Sequence, residues 1–186
     1  MVLQRGWGLG LFLLLGQAQA QPAVPTFRPE LRPDLQAAQL SCPQWQAVSV
    51  PHLSELASHQ RLLYLWSPRM VLSVLHAHEV KQVAQDLGLQ WQAASDPRVP
   101  APELAAAWAA MPAGVQAALA GSQPLCDAVL LAQGQSLRHL PTAWVLRWDA
   151  AGQRWQPQGL PIVSAMPPVF WRQAVHERLQ GTNAAH

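Results

Sequence analysis

The sequence predicts an α/β fold, a sheet flanked by helices, on three observations. A short apolar run, residues 62–66 (LLYLW), is followed by a stretch with apolar residues at three- and four-residue steps, then by a β-like run at residues 89–95 (LQWQAAS). A further β-like run, residues 142–148 (TAWVLRW), leads through Asp149-Ala150-Ala151-Gly152 toward a return strand. The chain then reaches an amphipathic stretch at residues 169–179. Unbroken apolar character suits a strand covered on both faces, while steps of three and four suit a helix with one inward stripe.

Taken in order, the first twenty residues read as a targeting segment. Arg5 supplies a basic start, residues 7–16 (WGLGLFLLLG) a short apolar core, and Ala18-Gln19-Ala20 a small-residue cleavage site. Cleavage is expected after Ala20, which makes the mature protein periplasmic or secreted. No later stretch approaches the roughly 18 to 20 apolar residues that a membrane span needs. Residues 21–44 are proline-rich and form an extended lead-in. Residues 45–50 (WQAVSV) predict a first strand, and Pro51 opens a short helix at residues 52–58.

Residues 62–66 are the second, central strand. Ser67 and Pro68 then read as a helix N-cap and first helical residue. That helix is expected to run from Pro68 to about Leu87 and stop at Gly88, with Val71, Leu72, Leu75, Val80, Val83, Ala84 and Leu87 inward. The third strand, residues 89–95, puts Leu89, Trp91 and Ala93 on one face. A β-α-β unit of this length implies parallel strands and a right-handed crossover. Residues 96–102 form a proline-punctuated loop, and residues 103–120 a helical stretch broken near Met111-Pro112. Residues 125–132 predict another helix carrying Cys126, and residues 134–140 a loop. After the strand at residues 142–148, the return strand lies within residues 154–164, frayed by Pro157, Gly159 and Pro161 as an edge strand can be. Trp148 and Trp155 flank the hairpin as a candidate cross-strand pair. The final helix points Val169, Phe170, Ala174, Val175 and Leu179 at the core, and residues 181–186 are a polar tail.

A formal net charge of +2 with scattered basic residues makes no electrostatic case for nucleic acid. The two cysteines, Cys42 and Cys126, favour a structural disulfide in an exported chain, with free thiols or intermolecular pairing as alternatives. Closing that loop stabilises by roughly 4 kcal/mol in the chain-entropy model. Gly-rich phosphate loops and zinc-type Cys/His clusters are missing from the sequence, so no cofactor or metal is expected. His76 and His78 cannot share an ion on a helix, because residues two apart point about 200° apart. Met70 and His78 share a stripe but lie about 11 Å apart along it. Ser67 as a nucleophile lacks a placed His-Asp pair, and capping explains it better.

Two local motifs carry a resemblance. LLYLWSPRM resembles the strand and redox turn of the thioredoxin-like superfamily, and Leu140-Pro141-Thr142 running into the next strand resembles that family's x-Pro-Thr segment. The resemblance covers residues 45–179. It implies a thioredoxin-like mixed sheet flanked by helices within residues 45–180, a cis bond before Pro141, and a helical insert at residues 96–140 between the third strand and that proline. It also implies a peptide-binding groove lined by Trp66, Ser67, Pro68, Met70, Leu140, Pro141 and Met166, where apolar side chains make a non-reactive patch. The family's two turn cysteines are replaced by Ser67 and Met70. A thioether forms no disulfide, and a serine alkoxide is too costly at neutral pH, so dithiol exchange at this turn is excluded by chemistry. The expected function is therefore an accessory factor in the cell envelope that binds a protein or peptide. The alternative is a thiol–disulfide oxidoreductase with its redox pair relocated to Cys42 and Cys126.

Overall fold

A computed structural model describes residue 42 and residues 59–133 and 141–181. The expected first strand (45–50), the short helix (52–58), the targeting segment and the loop at 134–140 lie outside the described residues.

The first strand described, β1 (Gln60–Trp66), is apolar at every position from Leu62 to Trp66 because both of its faces are covered. Two helices follow, α1 (Val71–Leu75) and α2 (Ala77–Asp86), where the sequence predicts one. A buried hydroxyl accounts for the break. Tyr64 donates its O–H to the carbonyl of Ser73 (2.7 Å), the group that would accept from Ala77 in a continuous helix. The predicted stop holds: Gly88 takes φ +69°, Leu89 N–H reaches Ala84 O (2.9 Å) and Gly88 N–H reaches Gln85 O (3.0 Å). Those two bonds make a Schellman end, which needs a left-handed residue where glycine stands.

Strand β2 (Gln90–Ser95) pairs parallel to β1, with Leu62 opposite Trp91 and Trp66 opposite Ser95. The helical insert contains α3 (Ala101–Ala110) and α4 (Ala113–Leu119), broken at Met111-Pro112 as predicted. It then adds a two-residue strand absent from the sequence expectation, β3 (Gln123–Pro124), parallel to β2. The next helix, α5 (Ala128–Gln133), begins later than predicted and leaves Cys126 outside it. Asp127 sets the start, since its Oδ1 accepts from the N–H groups of Val129 (3.0 Å) and Leu130 (3.1 Å).

Strand β4 (Thr142–Asp149) lies antiparallel to β1. The return strand is split into β5 (Arg154–Pro157) and β6 (Ile162–Val163), both antiparallel to β4. Gly159 (φ +76°) and Pro161 lie in the excursion between them. The sheet is thus mixed, in the order β3-β2-β1-β4-β5, with β6 beside β4. Trp148 and Trp155 pair across the hairpin, their rings 5.5 Å apart and edge to face. The last helix, α6 (Pro168–Leu179), matches its predicted span.

Alternation along the strands divides the core in two. Leu62, Tyr64 and Trp66 of β1, with Ala143 and Val145 of β4, face Val80, Val83, Ala118, Leu119, Trp171 and Val175 from α2, α4 and α6. Leu63 and Leu65, with Trp144 and Leu146, face Met70, Leu125, Leu130, Leu131 and Trp155. Three expected core residues of the first helix are corrected: Val71, Leu72 and Leu75 are exposed, at 63%, 36% and 62%. The last helix is corrected too, because Val169 and Phe170 face solvent while Trp171 is fully buried. Residues 170/174 and 171/175 form neighbouring stripes, and the sheet selects the second.

Candidate functional site

In open α/β sheets the carboxyl ends of the strands are where ligands meet the chain. Here that end is built from the turn after β1, the loop after β2 and the entry to β4. Trp66 closes β1 and is 3% exposed. Ser67 to Met70 form a β-turn with Pro68 at its second position, closed by Met70 N–H to Ser67 O (2.9 Å). Leu65 pairs with Thr142, which brings Pro141 to the same end. Pro141 is buried, and its carbonyl accepts from Ser164 N–H (3.1 Å), which ties the loop that carries Met166 to this end.

The helix cap expected at Ser67 is not what forms. The residue before α1 is Met70, and no side chain caps that helix. Among the described residues, Ser67 Oγ accepts from Arg69 N–H within its own turn (3.3 Å). The fixing residue is Ser73, which sequence reasoning missed. Its hydroxyl accepts from Ser67 N–H (3.0 Å) and donates to Met70 O (2.6 Å), with Ser67 O at 3.2 Å. Ser67 and Ser73 are both fully buried. A serine four and seven residues before Ala77 and Val80 was the available signal, since a polar residue on an inward stripe needs a partner.

The groove residues do not form one apolar patch. Trp66 packs on the α2 side of the sheet, whereas Met70, 1% exposed, packs on the opposite side with Leu63 and Leu65. Neither offers apolar surface to solvent, because strand alternation and the buried turn send them inward. Pro68 and Met166 are half-buried, and Arg69 is exposed. Leu140, and with it the Leu140–Pro141 bond expected to be cis, lies outside the described residues. The exposed apolar groups nearest in sequence to the turn are Val71, Leu72 and Leu75 of α1.

Polar neighbours surround the turn. Asp96, 2% exposed, donates its N–H to Trp66 O (2.9 Å) and holds Arg98 through two side-chain contacts, at 2.7 and 2.8 Å. Arg69 forms a bidentate pair with Glu103 of α3 (2.8 and 2.6 Å). The hydrogen bond from Arg69, with its charge, holds the Glu103 carboxyl below the usual range, and the same bond raises the Arg69 guanidinium. His76 lies 3.3 Å from Glu79, and His78 is exposed.

Cys42 and Cys126 are joined in a disulfide. Leu125, beside Cys126, donates its N–H to Ser95 O (3.0 Å), so the bridge lies at the same end of the sheet as Trp66. Among the described residues, no helix is long and apolar enough to cross a membrane.

The chain matches no protein-family model, no curated protein and no solved structure.

Proposed function

We propose that this is an exported protein of thioredoxin-like fold that lacks dithiol–disulfide activity and binds a protein or peptide partner in the cell envelope. The observation that carries the reading is the turn at residues 67–70. It follows a central strand, faces Pro141 across the β1–β4 pair, and has a buried hydroxyl and a buried thioether where exchange chemistry needs two sulfurs. The mixed sheet order, parallel through β3, β2 and β1 and antiparallel through β4 and β5, supports the same frame. Exposed Val71, Leu72 and Leu75 next to the turn favour contact with a partner over catalysis, since clustered apolar exposure marks interaction surfaces.

The test is an insulin-reduction assay on the purified protein, with co-purification of the tagged protein from envelope extracts. No turnover is expected, together with a co-purifying partner whose recovery drops when Val71 and Leu75 become Ser. Turnover abolished by Cys42→Ser or Cys126→Ser overturns the inactive reading and selects the relocated-pair alternative. One observation favours that alternative: the bridge sits at the turn's end of the sheet. Against it, Cys42 is 2% exposed, which shields one sulfur from an attacking thiolate. Thiol counting under native conditions separates the two, because an exchanging pair is reduced readily and a structural bridge is not.

A further inference from the structure

The first two helices of the insert are held very differently. Helix α4 is anchored: Ala118 and Leu119 are buried, Trp91 Nε1 donates to Ala118 O (2.8 Å), and Lys81 Nζ donates to Ala117 O (3.0 Å). Helix α3 has no buried residue along Ala101–Ala110. Its inner face is a half-buried stripe that includes Leu104 and Trp108, and the Trp108 ring lies 6.4 Å from that of Trp66. Its other hold on the turn is the Arg69–Glu103 pair, with side chains 53% and 39% exposed. Pro100 and Pro112 stand at its two ends in extended backbone, ψ 145° and 146°, and a single hydrogen bond, Gln116 Nε2 of α4 to Trp108 O (2.7 Å), ties its last turn to the anchored helix. What lies beneath is fixed without it. Trp66 Nε1 donates to Ser122 Oγ (2.9 Å), Asp96 is clamped by Arg98, and Ser73 holds the turn.

From this contrast we infer that α3 is a detachable lid over Trp66, latched by Arg69 and Glu103, whose inner face takes the place of an apolar partner segment. Lifting it uncovers the Trp66 edge of the first half of the core and frees Leu104 and Trp108, while the second half, around Leu63, Leu65 and Met70, stays closed. Segments with little buried surface open at lower free energy than the core, and exposed ion pairs add little to hold them. The inference rests on the partner-binding reading only for what replaces α3.

The experiment is amide hydrogen exchange on the purified chain, its Arg69→Gln and Glu103→Gln variants and the double variant. The amides of α3 are expected to exchange on the order of 100-fold faster than those of α2 and α4. Either single substitution speeds α3 by about two- to fivefold, the range of an exposed pair, and the double variant goes no further than a single one. Helices α2, α4 and α6 are unchanged. Trp108→Ala, which shortens the inner face, speeds α3 more than either latch variant and raises fluorescence of the apolar dye anilinonaphthalene sulfonate. Exchange of α3 as slow as that of α4 overturns the lid, and so does a rate that neither latch substitution moves. If α3 opens as expected but Glu103→Gln captures no more envelope protein than the unsubstituted chain, the lid stands and the partner-binding reading falls.

Discussion

Ser73 shows how one side chain outweighs the residue that draws the eye. Ser67 occupies the turn's conspicuous position, yet among the described residues its hydroxyl makes one bond, at 3.3 Å, while Ser73 accepts one backbone bond and donates another. Ser73→Ala leaves a buried N–H without its acceptor and is expected to cost about 1–3 kcal/mol in denaturant unfolding. Ser67→Ala is expected to cost about 1 kcal/mol or less. The pairing of Ser67 with Ser73 was not legible in the sequence, because propensity favours a Ser-Pro cap and the competing bond depends on the path of α1. Tyr64, the chain's only tyrosine, gives a second residue-scale test. Burial, and then the charge of Glu79, pushes its hydroxyl far above the ordinary value of 10.0. The folded state therefore holds this proton where the unfolded chain releases it. Its contribution to stability is intact below about pH 10 and declines as pH rises beyond that. In an alkaline titration, tyrosinate absorbance is expected to appear only together with loss of the tryptophan near-ultraviolet signal. Tyrosinate forming while that signal persists would contradict the buried placement.

At the scale of elements, the helix that closes the sheet turns on one aromatic. Trp171 is fully buried, 6.4 Å from Tyr64 between ring centres, whereas Phe170 is 54% exposed. Trp171→Ala is expected to lose about 3–5 kcal/mol by opening a cavity. Phe170→Ser should change stability by about 0.5 kcal/mol or less, and thermal unfolding of the two variants distinguishes these outcomes. Most elements were legible: the strands ending at Trp66 and Ser95, the stop at Gly88, the break at Met111-Pro112, and the hairpin with its Trp148–Trp155 pair. Each rests on chemistry local to the chain, such as alternation, a left-handed glycine or a proline. The failures share a cause as well. α1 and α6 carry more apolar residues than one stripe can bury, and only the packed partner decides which face turns inward. The two-residue β3 has no periodicity to read.

Across the whole molecule, the long-range tie is the disulfide. It joins positions 84 apart in sequence and pins residue 42 beside the end of β2. Replacing both cysteines by serine is expected to lower unfolding free energy by about 4 kcal/mol, because the unfolded chain regains a long loop. Equilibrium denaturation of the double variant checks the figure, and a loss below about 1 kcal/mol would remove the bridge from the account of stability. The candidate site was legible in part. The resemblance to a thioredoxin-like turn implied that Trp66, Ser67 and Pro141 share one end of the sheet, and the register pairs Leu65 with Thr142 at that end. It did not reveal that Trp66 and Met70 go to opposite faces, since the turn's path and the insert decide that in three dimensions.

Among the described residues, the two flanks of the sheet are poor templates. β3 is two residues long and ends in Pro124, and β5 ends in Pro157 before the chain leaves its ladder. A proline offers no N–H to a newcomer, and so short a strand gives it no length to zip along. A partner strand laid along β3 or along the end of β5 therefore finds few N–H groups to pair with, and docking on those two strands falls to their side chains.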